Sequence, residues 1–376
     1  MIYLDNAATS GHKPPEVLRA VNYSLSMHSA NPGRGGHARS VAASEAVYRC
    51  REKLAKFFSS EAPNNVCFCQ NCTSAINIVL KGVLKKGDHV IISSLEHNAV
   101  FRTVVDMSQW ESVEFDIAQV DSDESRTLNN IESLIKSNTK MIFILAASNV
   151  NGMCLPIEKI GKMCKSRNVL FGVDAAQYAG VMPIDMRKMN IDYLCVAPHK
   201  GFYAPMGLGV LIARKSIERA LVCGGTGVNS ISPKQPEDLP ERIESGTLNL
   251  PAIEGLSAGI DYINLKGISN IYQHEFYLCK ELYKRLSFKG VSIISTPPVF
   301  KATVPIFTFN VRDIPSEEVA GYLDKNNIAV RAGLHCAPLA HFMAGTLEKG
   351  AVRVSPSWFN SENDINKLIF FVKRLI

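Results

Sequence analysis

The sequence lacks the features by which several classes of protein are recognised. Its 41 basic residues never form a run of five or six, which argues against a nucleic-acid-binding surface. No uncharged stretch reaches the roughly 18 to 20 apolar residues of a membrane span. Residues 1–7 lack the basic and apolar stretches of a secretory signal. We therefore expect a cytoplasmic protein with neither nucleic-acid nor membrane partners.

Cysteine is also scarce for a disulfide scaffold, because ten cysteines are spread over 376 residues. Three of them, Cys67, Cys69 and Cys72, lie close together and raise the alternative of a metal-binding module. A zinc or iron–sulfur site takes four such ligands, and no fourth is near in sequence. We therefore predict no metal site.

The first 250 residues alternate apolar, strand-like runs with amphipathic helical stretches, a pattern typical of an α/β protein with a largely parallel sheet. The predicted strands are 65–68, 89–93, 112–116, 140–146, 170–173, 193–196 and 207–212. The predicted helices are 15–26, 38–58, 74–83, 98–109, 128–136 and 157–167. Open α/β sheets bind ligands at the carboxyl ends of their strands, so residues at those ends are the first candidates for a site.

The remainder of the chain predicts a smaller α+β domain. Its predicted helices are 252–264, 268–286, 316–325 and 361–376, and its predicted strands are 291–295, 304–310 and 329–331. Residues 223–242, rich in Gly, Pro, Ser and Asn, predict an extended surface segment. We assign residues 12–250 to a large domain, and residues 1–11 and 251–376 to a small domain that carries a cysteine loop.

One lysine, Lys200, follows a predicted strand in a turn of small residues, Ala197 to Gly201. A lysine that is desolvated loses its proton more readily and can form a Schiff base with an aldehyde, as pyridoxal phosphate chemistry requires. A surface lysine in a turn is the alternative for this motif alone.

An aspartate, Asp174, directly follows another apolar strand. A carboxylate there can pair with the protonated ring nitrogen of the cofactor, and Gln177 can donate to the ring hydroxyl oxygen. A helix N-cap is the alternative for Asp174. His97 also lies beyond a strand end, where its ring can stack on a planar cofactor or serve a structural role. Thr73 opens a helix after a strand, which suits either a phosphate or an ordinary cap.

Thr73, His97, Asp174 and Lys200, in that order, resemble the class V group of fold type I pyridoxal-phosphate enzymes. Segments 3–9, 242–249 and 331–338 narrow the resemblance to the cysteine desulfurases, and it covers nearly the whole chain. The resemblance implies the fold type I architecture with a mostly parallel seven-stranded sheet, pyridoxal 5′-phosphate as cofactor and a homodimer.

The resemblance implies roles at the cofactor ring. Lys200 would form the Schiff base, Asp174 would contact the pyridine nitrogen and Gln177 the ring oxygen. His97 would stack on the ring, and Asn149 matches the family asparagine near the cofactor oxygen and the substrate carboxylate.

It also implies roles at the two polar ends of the site. Thr73, His199 and, from the second subunit of a dimer, Thr247 match the phosphate ligands. Arg331 and Arg353 match the arginines that bind the substrate carboxylate, for which a bidentate guanidinium is suited.

Two residues depart from the family pattern around the phosphate. Cys72, which we count among the cofactor-binding residues, stands where a threonine is frequent, and Ala197 stands where many relatives carry a hydroxyl. We expect these changes to affect cofactor affinity rather than cofactor identity.

Cys336 lies in a Gly-Leu-His-Cys-Ala-Pro turn after a predicted strand, with Arg331, His335 and His341 nearby in sequence. Cationic neighbours favour the thiolate, which is the nucleophilic form of cysteine. In the mechanism that the resemblance implies, free cysteine displaces Lys200 from the cofactor, and Lys200 then removes the Cα proton. Cys336 attacks the substrate sulfur, alanine leaves, and the resulting persulfide passes to a sulfur-acceptor protein. His335 either assists proton transfer or simply packs.

Two other activities stay open at this point. A selenocysteine lyase would use the same scaffold, because sulfur and selenium would meet the same Cys336. A class V aminotransferase would need Lys200 but no cysteine.

Overall fold

The computed structural model describes residues 1–33 and 35–376. In chain order its strands are β1 (Ile2–Tyr3), β2 (Val66–Cys69), β3 (His89–Ser93), β4 (Glu114–Ala118), β5 (Thr139–Leu145), β6 (Leu170–Asp174), β7 (Tyr193–Val196), β8 (Gly209–Ala213), β9 (Val291–Ile293), β10 (Phe307–Val311), β11 (Ile328–Ala329) and β12 (Val352–Val354). Its helices are α1 (Pro15–Met27), α2 (Ala38–Phe57), α3 (Cys72–Val83), α4 (Asn98–Trp110), α5 (Glu124–Ser133), α6 (Ile157–Arg167), α7 (Leu250–Lys266), α8 (Ile268–Leu286), α9 (Ser316–Lys325), α10 (Pro338–Met343) and α11 (Glu362–Lys373).

A seven-stranded sheet forms the centre of the molecule, with the strand order β2-β8-β7-β6-β5-β3-β4. All its strands run parallel except β8, which is antiparallel to both of its neighbours. Strands such as β3, with Val90, Ile91 and Ile92, are buried throughout because helices cover both faces of the sheet. The predicted α/β class and the mostly parallel seven-stranded sheet are confirmed.

The two faces of the sheet support two apolar cores. On one face the sheet packs against α3 and α4. On the other it packs against α2, α6 and α7, with α1 lying along α7. Parallel strands that are buried on both sides leave their carboxyl ends as the accessible edge of the sheet, and this edge carries the site.

The C-terminal part of the chain has a third core. Helices α8, α9 and α11 pack around the antiparallel sheet β12-β10-β9, and Leu4 from the N-terminus lies in the same core. The short strand β1 pairs in parallel with β11. Because α7 packs in the core of the central sheet, the boundary at residue 250 and the two-domain division stay predictions.

The predicted elements agree with the structure apart from their ends and the shortest strands. Helix α5 begins at Glu124 because Asp123 caps it and accepts the Ser125 N–H at 2.8 Å. Strands β1 and β12 and helix α10 were not predicted; they span two, three and six residues, too few for a periodic pattern. Residues 223–242 form neither helix nor strand, as predicted. Within the described residues no helix is long and apolar enough to cross a membrane.

Candidate active site

A cavity of about 240 Å³ opens at the carboxyl ends of the central strands. It brings together eleven of the twelve residues that the sequence assigned to a site. These are Cys72, Thr73, His97, Asn149, Asp174, Gln177, His199, Lys200, Arg331, Cys336 and Arg353. The remaining one, Thr247, lines a neighbouring cavity.

Lys200 lies in the turn that follows β7, and its side chain reaches the wall of the cavity. Burial lowers the pKa of its ammonium group, while the negative charge of Asp174 opposes that shift. The turn is tightly packed, since a Cβ on Gly201 would lie 2.3 Å from the carbonyl oxygen of Ala179. The backbone of the turn therefore has little room to move, and the Lys200 amine is biased toward the neutral, nucleophilic form.

Asp174 is the last residue of β6, with Leu145 and Cys195 as its neighbours on the adjoining strands. Its Oδ1 accepts the Ala176 N–H at 2.8 Å, and the chain continues in a turn, so Asp174 is not a helix N-cap. The Cys72 thiol donates to the same Oδ1 over 3.8 Å. Cys72 therefore contacts the carboxylate, whereas the sequence suggested a role at the phosphate.

His97 is the N-cap of α4, and its Nδ1 accepts the Ala99 N–H at 3.0 Å. A neutral ring in this arrangement carries its proton on Nε2. Burial lowers the pKa of His97, against an opposing effect of Asp174, so the neutral ring is favoured. The capping contact fixes the orientation of the ring at the cavity wall.

Glu96, next to His97, is fully buried and has a structural task that the sequence did not reveal. Its Oε1 accepts from the Ser93 hydroxyl at 2.5 Å and from the Leu145 N–H at 3.0 Å. Burial raises the pKa of this carboxyl to about 8. Glu96 thereby ties the turn after β3 to the end of β5, two edges of the cavity.

Cys72 and Thr73, two of the residues assigned to a phosphate, are the first residues of α3. The Asn71 side chain caps this helix and accepts the Ser74 N–H at 2.8 Å. The N–H groups of the first turn of an α-helix have no carbonyl partner within the helix, so they are available to other acceptors. His199 is partly buried, and its Nδ1 has no hydrogen-bond partner in the described residues. Burial lowers its pKa to about 4. The Ser10 N–H donates to the His199 carbonyl at 3.0 Å and fixes that residue.

Arg353, in the middle of β12, is buried and held from two sides. It donates to Asp5 Oδ1 at 3.0 Å and to the Asn149 carbonyl at 3.1 Å. Burial lowers its pKa, and the Asp5 charge opposes that shift. Arg331 is exposed and pairs with Arg353 only through the backbone, at 2.7 and 3.2 Å. The two guanidinium groups nevertheless line one cavity and can receive a carboxylate.

The loop that contains Cys336 has a strained backbone conformation and is held by two hydrogen bonds. His335 and Cys336 both adopt left-handed backbone conformations, with φ of 51° and 57°. The Asn149 side chain donates to the His335 carbonyl at 2.7 Å, and the Asn98 N–H donates to the Cys336 carbonyl at 2.7 Å. Such a conformation persists only where neighbouring groups hold it. The Cys336 side chain is exposed at the rim of the cavity.

Thr247 lies in the segment before α7 and lines a separate cavity of about 350 Å³, which shares Thr73 with the first one. The segment is anchored by a buried ion pair, Arg51 to Glu244, at 2.5 Å. The Phe68 N–H also donates to Glu244 at 2.6 Å. Thr247 thus lies near Thr73 but outside the cavity that holds the other assigned residues.

The neighbouring cysteines do not form a metal centre in the part of the chain that the structure describes, where no group of three His, Cys, Asp or Glu side chains can hold an ion. Burial raises the pKa of the Cys67 and Cys72 thiols well above the ordinary value.

Comparison with known proteins gives a consistent result. The family model described as aminotransferase class-V matches residues 2–368. A probable cysteine desulfurase of Methanothermobacter thermautotrophicus is 31% identical over 98% of this chain and 92% of its own length. A cysteine desulfurase of Wigglesworthia glossinidia brevipalpis is 32% identical over 100% and 92%. The apo structure of a cysteine desulfurase from Thermococcus onnurineus superposes with a TM-score of 0.92 at 29% identity, covering 100% of this chain and 94% of that one.

Proposed function

Because this chain belongs to the class-V aminotransferase family, we propose that it is a cysteine desulfurase that uses pyridoxal 5′-phosphate to convert L-cysteine to L-alanine. The sulfur would pass to Cys336 as a persulfide and then to an acceptor protein. The observation that carries this proposal is that Lys200, Asp174 and Cys336 line one cavity together with two arginines.

The residues around the cavity fit the cofactor. Pyridoxal phosphate enzymes use a lysine for the Schiff base and an aspartate at the pyridine nitrogen, and Lys200 and Asp174 both line the cavity. Three polar atoms of the lining, Asn149 Oδ1, His199 Nδ1 and Arg353 Nε, are buried without a hydrogen-bond partner in the described residues. Buried polar atoms normally find partners, so these favour a polar ligand in the cavity.

In this proposal Lys200 would hold the cofactor as a Schiff base, with Asp174 at the pyridine nitrogen, Gln177 at the ring oxygen and His97 against the ring. Asn149 would lie near the ring oxygen and the substrate carboxylate. Thr73 and His199 would surround the phosphate, joined by Thr247 of the second subunit in a homodimer, while Cys72 would lie beside Asp174. When bound, the cofactor supplies an electron sink for the negative charge that develops at the substrate Cα.

The protein side chains would carry the remaining steps. Arg331 and Arg353 bind the carboxylate of L-cysteine and orient its Cα toward Lys200. The neutral Lys200 amine takes the Cα proton. The Cys336 thiolate attacks the substrate sulfur, and a sulfur–sulfur bond forms as the Cβ–sulfur bond breaks. One proton then reaches Cβ and another returns to Cα, alanine leaves, and Cys336 keeps the sulfur.

The position of Cys336 supports onward transfer to an acceptor protein. Its side chain is exposed, and the nearby Leu334, Phe342 and Met343 are exposed as well, at 38%, 69% and 45%. Apolar side chains around a reactive thiol provide a surface on which a partner can dock.

The test is to supply the purified protein with pyridoxal 5′-phosphate and L-cysteine. We expect a yellow protein whose colour is lost in Lys200→Ala, formation of alanine, and a mass increase of one sulfur on Cys336. Cys223→Ala, which alters the other exposed cysteine, serves as the matched control. Full alanine formation by Cys336→Ala would refute the persulfide mechanism.

Two further measurements refine the proposal. The ratio of kcat/KM for cysteine and selenocysteine decides between a desulfurase and a selenocysteine lyase. Sedimentation gives the oligomeric state, and a monomer that binds the cofactor fully would remove the role of Thr247 across a dimer.

A further inference from the structure

Three side chains behind Cys336 form a hydrogen-bonded chain that the proposed mechanism does not use. His335 Nδ1 and His341 Nε2 are 3.1 Å apart, and His341 Nδ1 and Thr346 Oγ1 are 2.8 Å apart. The two rings are nearly parallel and meet edge to edge, with centroids 5.3 Å apart and an interplanar angle of 22°. His335 lines the cavity, while Thr346 is half-buried near the surface. The chain therefore runs from the wall of the cavity toward solvent.

The rings of His335 and His341 are both neutral at neutral pH. Burial, together with the positive charge of Arg353, lowers the pKa of His335 to about 3. Burial lowers the pKa of His341 to about 4. At neutral pH each ring therefore carries one proton, and the contact between them holds a single N–H.

This arrangement couples the two tautomers. If His335 Nδ1 carries the proton, it donates to His341 Nε2, so His341 donates from Nδ1 to the Thr346 hydroxyl oxygen. His335 Nε2 is then an acceptor. If instead Thr346 donates to His341 Nδ1, His341 donates from Nε2 to His335, and His335 Nε2 bears a proton. His335 Nε2 is buried and has no hydrogen-bond partner in the described residues.

We propose that His335, His341 and Thr346 form a tautomeric proton relay between the cavity and solvent. This relay rests on the proposed function, because the proton that it carries comes from the Cys336 thiol. The S–H bond of Cys336 breaks and its proton binds His335 Nε2. The Nδ1 proton of His335 moves to His341 Nε2, the Nδ1 proton of His341 moves to Thr346 Oγ1, and the Thr346 hydroxyl proton passes to water. No atom is oxidised or reduced, and both rings end neutral.

The relay gives His335 a definite role, because a buried histidine with so low a pKa is a poor base if it must hold a positive charge. Passing one proton on while taking another avoids that charge. The reverse sequence returns a proton to the cavity. His341 and Thr346 touch neither substrate nor cofactor in this scheme and act through His335.

The first test needs no enzymatic activity. ¹⁵N-histidine NMR spectra of the full chain distinguish protonated from unprotonated ring nitrogens, and His335→Asn and His341→Asn assign the signals. We expect intermediate shifts for both nitrogens of His335 and His341, and one fixed tautomer in Thr346→Val. A single fixed tautomer in the unaltered protein would overturn the relay, whether or not the protein is a desulfurase.

The second test uses the cofactor-loaded enzyme with L-cysteine. We expect Thr346→Val and His341→Gln to lower kcat by about tenfold or more, as loss of proton transfer does, with little change in KM. Added imidazole buffer should restore part of the lost rate, and Thr346→Ser should rescue Thr346→Val by returning the hydroxyl.

Glu348→Gln, an exposed neighbour, controls for local disturbance of the loop. A Thr346→Val enzyme with the kcat of the unaltered enzyme and no response to buffer would also overturn the relay. If the unaltered enzyme forms no alanine, the proposed function fails, while the NMR result still decides the relay.

Discussion

The backbone N–H of Asn98 donates to the backbone carbonyl of Cys336 at 2.7 Å, which docks the cysteine loop directly on the first turn of α4. The same helix carries His97 as its N-cap. The proposed nucleophile and the histidine at the cavity wall are therefore positioned by one helix end. A change in that backbone contact should alter the position of Cys336 without touching any side chain of the site.

Asn98→Pro removes this N–H selectively. Proline is well tolerated at the first helical position, and His97 has the extended ψ of 152° that suits a residue before proline. A lost hydrogen bond of about 1.4 kcal/mol corresponds to roughly a tenfold effect, so we expect persulfide formation on Cys336 to slow by about that factor. Single-turnover mass spectrometry measures it.

Asn98→Ala is the matched control, because it keeps the N–H and removes only the side chain. We expect it to react at the rate of the unaltered protein. If both substitutions slow the reaction equally, the backbone contact is not what positions Cys336.

Asp5→Asn should weaken the hold on Arg353. It leaves the buried guanidinium without a charged partner, and breaking one side of a buried ion pair costs about 3 to 5 kcal/mol. We expect the free energy of unfolding to fall by a few kcal/mol and KM for cysteine to rise. Denaturant titration and steady-state kinetics measure the two effects. Glu16→Gln, in the exposed Glu16–Arg19 pair, should change neither; an equal loss in both variants would contradict this account.

Glu275→Gln should stabilise the protein at high pH. Burial raises the pKa of Glu275 to about 8 from an ordinary value of 4.5. Between these values the unfolded chain releases the proton while the folded chain keeps it, so rising pH destabilises the unaltered protein relative to the glutamine variant. The difference should grow by about 1.4 kcal/mol per pH unit from about pH 5 to pH 8 and vanish below pH 4.

Urea titrations at several pH values test this expectation. Glu281→Gln, on the same helix α8, is the matched control for the substitution itself. A difference between Glu275→Gln and the unaltered protein that does not vary with pH would show that the carboxyl is already ionised in the fold.

Alkylation of the native protein should reach two cysteines first. All ten lie in described residues, and Cys336 and Cys223 are the exposed ones. Buried thiols are shielded and harder to ionise, as for Cys50, whose pKa burial raises to about 12. Brief treatment with iodoacetamide, followed by peptide mass spectrometry, should therefore modify Cys336 and Cys223. Cys336→Ser should retain modification at Cys223 alone, and early labelling of Cys50 would contradict the burial described here.

The parts of the site that the sequence could predict are those fixed by a strand end. Asp174 and Lys200 were found because each follows an apolar run, and parallel strands bring their carboxyl ends to one edge. The roles of these residues in chemistry stay predictions. The fold class followed from the same alternation of strands and helices.

The contacts that position the site could not be predicted. The pairs Asn98–Cys336 and Asp5–Arg353 depend on which carbonyl or charge lacks a partner after packing, and no local pattern carries that information. His341 was noted five residues after Cys336, but its contact with His335 depends on the left-handed turn between them. The Cys72 thiol likewise was expected at the phosphate and contacts Asp174.

The ion pair between Asp5 and Arg353 cannot form until Arg353 has been synthesised. The two residues are 348 positions apart, so Arg353 is synthesised well after Asp5. At about 5 to 20 residues per second the interval is roughly 20 to 70 seconds. The central sheet has all its strands long before then. A nascent chain can thus acquire the strands of its central sheet before Arg353, which Asp5 holds in the folded protein, has been synthesised.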